Sequence, residues 1–216
     1  MFVRLKNLAI AAIAGSIVVG AAGCSPEAET AEPTGATQSE SPAPTSTKPT
    51  PSPTPKPTPT PVPASSKGPA QNWPVPVMPA VAKEKSEAGV RAFALHYYDL
   101  VEYTIQTNDT VPIKKLTMKT CLECGASFID PFDNNKKVGS WMSGADFEVV
   151  VTRTILQPQN GVVLYTTTQG EMTLFMRDGT LQGTFPATPR PAPMTMLLQF
   201  DDGWKVESLE YLDATG

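Results

Sequence analysis

Histidine is nearly missing from this sequence, cysteine is scarce, and basic charge is in deficit. One histidine, His96, and three cysteines, Cys24, Cys121 and Cys124, are all that its 216 residues supply. Two neighbouring sulfurs are half of a tetrahedral zinc shell, and the histidine lies far from them in sequence, which argues against a zinc centre. Lys and Arg number 17 against 21 Asp and Glu, a net charge of −4. A nucleic-acid binder shows a basic patch or stripe, and none is visible along the sequence, so nucleic acid is not an expected partner. The longest apolar or small stretch, Leu8 to Ala22, falls short of the roughly 20 residues that cross a bilayer. Internal repeats and cofactor-binding motifs are missing as well.

That short apolar stretch has its own meaning. Arg4 and Lys6 precede it, and the small residues Ala21-Ala22-Gly23 lead to Cys24. A charged start, a short apolar core and a small-residue exit describe a secretory signal peptide. The exit resembles the lipobox of bacterial lipoproteins, in which the cysteine is lipidated and becomes the mature N-terminus. It departs from the usual box in having Ala21 where leucine is common. The resemblance implies a signal peptide over 1–23, a lipid of the palmitate kind on Cys24, and attachment to the outer face of the cell membrane. The alternative is ordinary cleavage that leaves Cys24 a free thiol.

Residues 24–72 are rich in Pro, Thr and Ser and almost devoid of large apolar side chains. Such a chain cannot bury enough surface to offset its conformational entropy. It is expected to be a disordered, extended stalk at about 3.1 Å per residue, which would lift whatever follows away from a membrane. Its Thr and Ser offer sites for O-linked sugars.

The composition changes at Trp73. Residues 73–216 hold all three tryptophans and suffice for one domain with a real core. Val90, Phe93, Ala94, Tyr97, Val101 and Thr104-Ile105 recur at spacings of three and four, which predicts a helix from about Pro79 to Thr107. Asn108-Asp109-Thr110 should end it. That triplet also fits a glycosylation sequon, but the turn role suffices. A second helical stretch is expected from Val111, past the cysteines, to about Phe132. Beyond Gly144 the period becomes two. Strands are predicted over 146–157, 161–168, 173–176, 180–185, 194–200 and 204–212, with tight turns at Arg177-Asp178-Gly179 and Asp201-Asp202-Gly203. Helices followed by antiparallel strands make an α+β domain.

This order of elements resembles the cone fold of nuclear transport factor 2 and ketosteroid isomerase. The stretch KEKSEAGVRAFALHYYDLVEYTIQTNDTVPIKKLTMKTCLECGASF, with the later GWKVESLEYL, resembles a domain of unknown function found in actinobacterial lipoproteins. Phe93, Tyr97, Tyr98, Asp109, Thr110, Cys121 and Cys124 carry the resemblance. It implies N-terminal helices packed on a curved antiparallel sheet, and it brings no activity with it.

Few residues invite a chemical role. Outside the cell, Cys121 and Cys124 are expected to form a structural disulfide. A thioredoxin-like pair is the competing possibility, but that motif follows a strand, and Glu123 opposes the field of Lys119 on any thiolate. His96 could act as an acid–base group inside a cone. Its position some 100° around the helix from Tyr97 instead puts it at the edge of the buried face or in solvent. Asp130, Asp133, Asn134 and Asn135 have the look of calcium ligands without the twelve-residue loop pattern. Met172, Met194 and Met196 read as core.

The expected function is therefore a lipid-anchored, non-catalytic binding or interaction module of the cell envelope, meeting another envelope protein or a small apolar ligand. A cone-fold dehydratase or isomerase is the alternative, and a thiol-redox lipoprotein a weaker one.

Overall fold

In the computed structural model, residues 59–212 are described. The signal peptide, Cys24 and the first part of the Pro-rich segment lie outside them. The long helix α1 spans Glu87–Thr107. Ser86 caps it by accepting a hydrogen bond from the Gly89 amide, and Asn108 ends it in the left-handed conformation at φ 56°. The predicted apolar stripe is its buried face. Val90, Phe93, Tyr97 and Val101 are fully buried.

The helix does not start at Pro79. A single 3-10 turn, Ala80–Lys83, comes first, and Glu84 is extended. The break is imposed from a distance, because the Trp204 indole donates to the Glu84 carbonyl at 2.8 Å. The chain doubles back so tightly there that a side chain at Gly89 would meet the Glu84 carbonyl oxygen at 2.0 Å. Local periodicity carries no trace of that contact.

The second helical stretch is also interrupted. Helix α2, Val111–Lys115, is short. Leu116 to Thr120 then runs along a sheet edge, with Met118 N–H donating to Val206 and Val206 N–H donating to Leu116, both at 2.8 Å. Helix α3, Leu122–Cys124, leads through a π-helical turn, Gly125–Ile129, into α4, Asp130–Val138. Gly139, at φ 79°, stops α4.

The strands form two antiparallel sheets rather than one. β2 (Phe147–Leu156), β3 (Asn160–Gln169), β6 (Ala192–Phe200) and β7 (Trp204–Tyr211) pair in the order β2-β3-β6-β7. β1 (Trp141–Gly144), β4 (Met172–Phe175) and β5 (Leu181–Phe185) pair in the order β1-β4-β5. β1 is the strand that alternation did not reveal. Both predicted tight turns are present, with Gly179 at φ 84° and Asp202-Gly203 at φ 52° and 131°. Register shifts at Val151/Arg153 and Leu197/Leu198 bend the larger sheet. Helix α1 holds the first bend, because Arg91 donates to the Val151 carbonyl at 3.0 Å. Near the start of the same strand, Glu102 of α1 accepts from the Phe147 amide at 2.7 Å. One hydrophobic core joins α1 to Val163, Met194, Met196, Leu198 and Val206 of the sheet. The α+β class and the packing of N-terminal helices on antiparallel strands are as expected.

The boundary of the folded part is not. Residues 59–72, expected to be stalk, carry a small hairpin closed by a Val62–Gln71 pair and a Ser65–Gly68 pair. It is fastened to the domain. Ala64 N–H donates to the Gln106 side chain at 2.9 Å, and the Trp141 indole donates to the Ser65 carbonyl at 2.8 Å. Ala64 is buried with Trp141 and Phe175, whose rings stack at 5.7 Å. A proline-rich segment ordered this way draws its stability from tertiary partners, which composition does not display. Among the described residues, no helix is long and apolar enough to cross a membrane.

Candidate functional site

A cavity of about 260 Å³ opens between α1, the α3–α4 segment and the strands. Its apolar wall comes from Tyr98 and Ile105 of α1, Phe128 and Phe132 of the helical segment, and Phe147, Met172, Met194 and Leu209 of the sheets. Tyr98 sits at the centre of an aromatic group. Its ring lies edge-on to Phe128 at 6.3 Å and 5.6 Å from both Phe147 and Tyr165. Such contacts fix ring orientations and give the wall a defined shape.

Polar groups enter the lining at few points. Behind the wall the Tyr98 and Tyr165 hydroxyls share a 2.9 Å hydrogen bond. Burial pushes Tyr98 up to about 12, against the opposing effect of that bond. Burial and the Tyr98 hydroxyl push Tyr165 further in the same direction. Both phenols stay protonated at neutral pH. On the helical side, the Ser127 hydroxyl donates to the Glu123 carboxylate. The rim is built from Gln169, Thr188 and Tyr211. Thr188 belongs to a proline-rich run, PATPRPAP, that follows β5. Its hydroxyl accepts from Gln169 N–H, and its own N–H donates back to the Gln169 carbonyl, both at 2.9 Å. The run ends inside the sheet, where Ala192 and Pro193 open β6 opposite Thr167 and Thr166, and the part before them crosses the edge of the cavity.

The two cysteines stand directly behind this wall. Their sulfurs are 1.94 Å apart, at disulfide distance, and both residues are buried. Cys121 also caps α3, its sulfur accepting from the Cys124 amide at 3.3 Å. Glu123 between them faces the cavity, while Leu122 points out and is 82% exposed. The linkage therefore fixes the segment that carries one polar group of the site.

The other candidates lie elsewhere. His96 is buried, at 3% exposure, and not at the margin. The buried face of α1 is wider than one stripe, because Leu100 and Tyr103 are covered too. The His96 Nδ1 has no hydrogen-bond partner and is 3.9 Å from Asp99 Oδ2. Burial lowers its pKa, and Asp99 opposes that only in part. It does not line the cavity. Asp133 accepts from Thr110 and from Lys114, both at 2.6 Å, and Asn135 holds Ser140 at 3.0 Å. These contacts join α2 to α4, and among the described residues no group of three or more His, Cys, Asp or Glu could hold a metal ion. Asp109 accepts from the Tyr103 hydroxyl and the Val111 amide, which is the expected turn role. Of the residues singled out in the sequence, Tyr98, Met172 and Met194 reach the cavity. Glu123, Ser127 and Phe128 were not singled out as a wall, although the Cys121–Cys124 spacing lay beside them.

The sequence matches a family of unknown function, DUF6318, over residues 59–210. The chain belongs to that family. The DUF6318 match begins where the ordered hairpin begins, 14 residues before Trp73. No curated protein matches the chain. Among solved structures it is similar to the intermembrane space region of the chloroplast protein ARC6. That match has 10% identity, covers 59% of this chain and 96% of that one, and has a TM-score of 0.44. It is also similar to AclR from Streptomyces galilaeus, with 16% identity, 59% and 79% coverage, and a TM-score of 0.33. Neither similarity bears on what this DUF6318 domain does.

Proposed function

We propose that this DUF6318 protein is a bacterial lipoprotein, anchored through Cys24 at the outer face of the cell membrane, whose domain is a non-catalytic binding module for a small apolar ligand. The observation that carries the binding role is the cavity, with its ordered aromatic wall and few polar groups. Ligand pockets are mostly apolar with a small number of placed polar groups, and run from about 300 Å³ upward. At about 260 Å³ this one suits a compact ligand or the tip of a larger one. Catalysis is not proposed, because His96 does not line the cavity. The anchoring role rests on the charged start, the short apolar run and Ala21-Ala22-Gly23-Cys24.

A neutral naphthylamine dye titrated into the protein should brighten and saturate. Ala192→Trp, which places an indole among the lining residues, should abolish that response without changing the circular dichroism spectrum. A dye response equal in both proteins would sink the binding role. For the anchor, labelled palmitate should appear on the parent protein and not on Cys24→Ala. Label on the variant, or none on the parent, would remove it.

A further inference from the structure

The lysines of the domain are not spread evenly. Lys114, Lys115, Lys119 and Lys205 surround one recess of about 320 Å³, together with Thr117, Met118, Gln199 and Asp201. A second recess of about 500 Å³ shares Lys115 and Lys205 with it and adds Lys83 and the Trp204 edge. A third of about 510 Å³ shares Lys114 and Lys119 and extends past Cys121 to Leu122 and Gly125. Because neighbouring recesses share lysines, the three form one continuous track. Lys85 lies above the ring of Phe200, which lines the second recess, at 5.3 Å.

This is a basic patch on a domain whose own balance is acidic; Lys114, Lys115 and Lys119 are close in sequence, and the fold adds Lys83 and Lys205. Lys83 precedes α1, Lys114 to Lys119 surround the edge segment, and Lys205 begins β7. The backbone pairing of Leu116 and Met118 with Val206 brings the last two groups together. Among the described residues only Lys114 of this set has a carboxylate within 4.0 Å, that of Asp133. Lys83, Lys115, Lys119 and Lys205 are exposed. The carboxylates nearest in the lining are Asp201, Asp202 and Asp130. Set against these and the paired Asp133, the lysines leave the lining with a small positive excess.

We infer that this track binds a linear phosphodiester polymer of the poly(glycerol phosphate) kind. Three features favour that occupant. The charges follow a line of connected recesses, which a chain can enter and a flat surface cannot. Every basic group in the lining is lysine, which binds phosphate as a point charge without the planar fork that arginine presents. Gln199 supplies a hydrogen-bonding group beside the lysines, whereas the Thr117 hydroxyl is engaged by Ile113 and Tyr97. The track shares no lining residue with the apolar cavity. The two sites can therefore be occupied independently.

The test uses the full-length protein in nonionic micelles with poly(glycerol phosphate) as the probe. The parent should bind. Affinity should fall on the order of tenfold as salt rises from roughly 50 to 200 mM, as counterion release on three contacts demands. Lys115→Gln/Lys119→Gln/Lys205→Gln should weaken binding by about tenfold or more at low salt, whereas Lys136→Gln/Lys137→Gln on α4 should leave it unchanged. The inference fails if the parent does not bind, if the triple variant binds like the parent, or if the α4 variant weakens binding equally. Equal affinity for polyglutamate of matched charge would overturn the assignment to phosphate. Tighter lysine-dependent binding to micelles carrying phosphatidylglycerol would overturn it in favour of the membrane surface.

Discussion

The segment from Val111 to Asp130 has an inner and an outer side, and they are built on opposite principles. Inside, Glu123, Ser127 and Phe128 meet Tyr98 in an aromatic, largely dry wall. Outside, Lys114, Lys115, Lys119 and the exposed Leu122 face solvent. Buried groups are held by packing and by hydrogen bonds that a low dielectric strengthens, so altering them should change stability. Exposed charges are screened by water and salt, so altering them should change association and leave the fold alone. One short stretch of chain thus carries a structural half and an interactive half.

The largest effect should come from the inside. Tyr98→Ala removes a ring packed against four others and should cost about 3–5 kcal/mol. Chemical denaturation would show it, and loss of less than a third of that would mean the wall is looser than its geometry. Next, Cys121→Ser/Cys124→Ser should cost about 2 kcal/mol, since a loop this short restrains the unfolded chain only modestly. Adding reductant to the parent should reproduce the loss. Tyr165→Phe leaves the Tyr98 hydroxyl buried without its partner and should cost about 1–3 kcal/mol. A neutral result would show that water reaches the pair.

Smaller still is a pH effect at His96. Burial lowers its folded pKa below the ordinary value near 6.5. Below pH 6.5 the unfolded chain therefore takes up a proton that the native state refuses. Stability is complete above that value and declines as pH falls toward the folded pKa. His96→Leu should flatten this part of the pH–stability curve, as followed by thermal unfolding. At the outer face, the triple lysine variant should change stability by no more than about 0.5 kcal/mol, with any gain confined to low salt. A large loss would blur the division between the two sides.

What was legible in the sequence follows the same division between local and distant causes. The stripe Val90, Phe93, Tyr97 and Val101 is set by helical spacing alone, and it was readable. So were the Asp202-Gly203 and Asp178-Gly179 turns, because their backbone demands are met by the residues within them. The start of α1 was not, because Trp204 sets it from across the chain. The hairpin at 62–71 was hidden by its prolines, since its fastenings belong to Gln106 and Trp141. His96 was misplaced because a single stripe underestimates a helix covered on several sides. The cavity draws its lining from α1, the α3–α4 segment and both sheets. The lysine track joins residues more than a hundred positions apart, and spacing rules do not reach that far.

The hairpin has a mechanical consequence. Tension applied to the chain ahead of residue 59 would first load the Val62–Gln71 pair, then the Ala64 and Ser65 fastenings. These bonds would open one after another, like a zip pulled from its end, rather than all at once in shear. The Ala64 fastening would pass its share of the load to Gln106, in the last turn of α1. A pull on the upstream chain would thus meet the hairpin and its fastenings at Gln106 and Trp141 before it met the larger sheet.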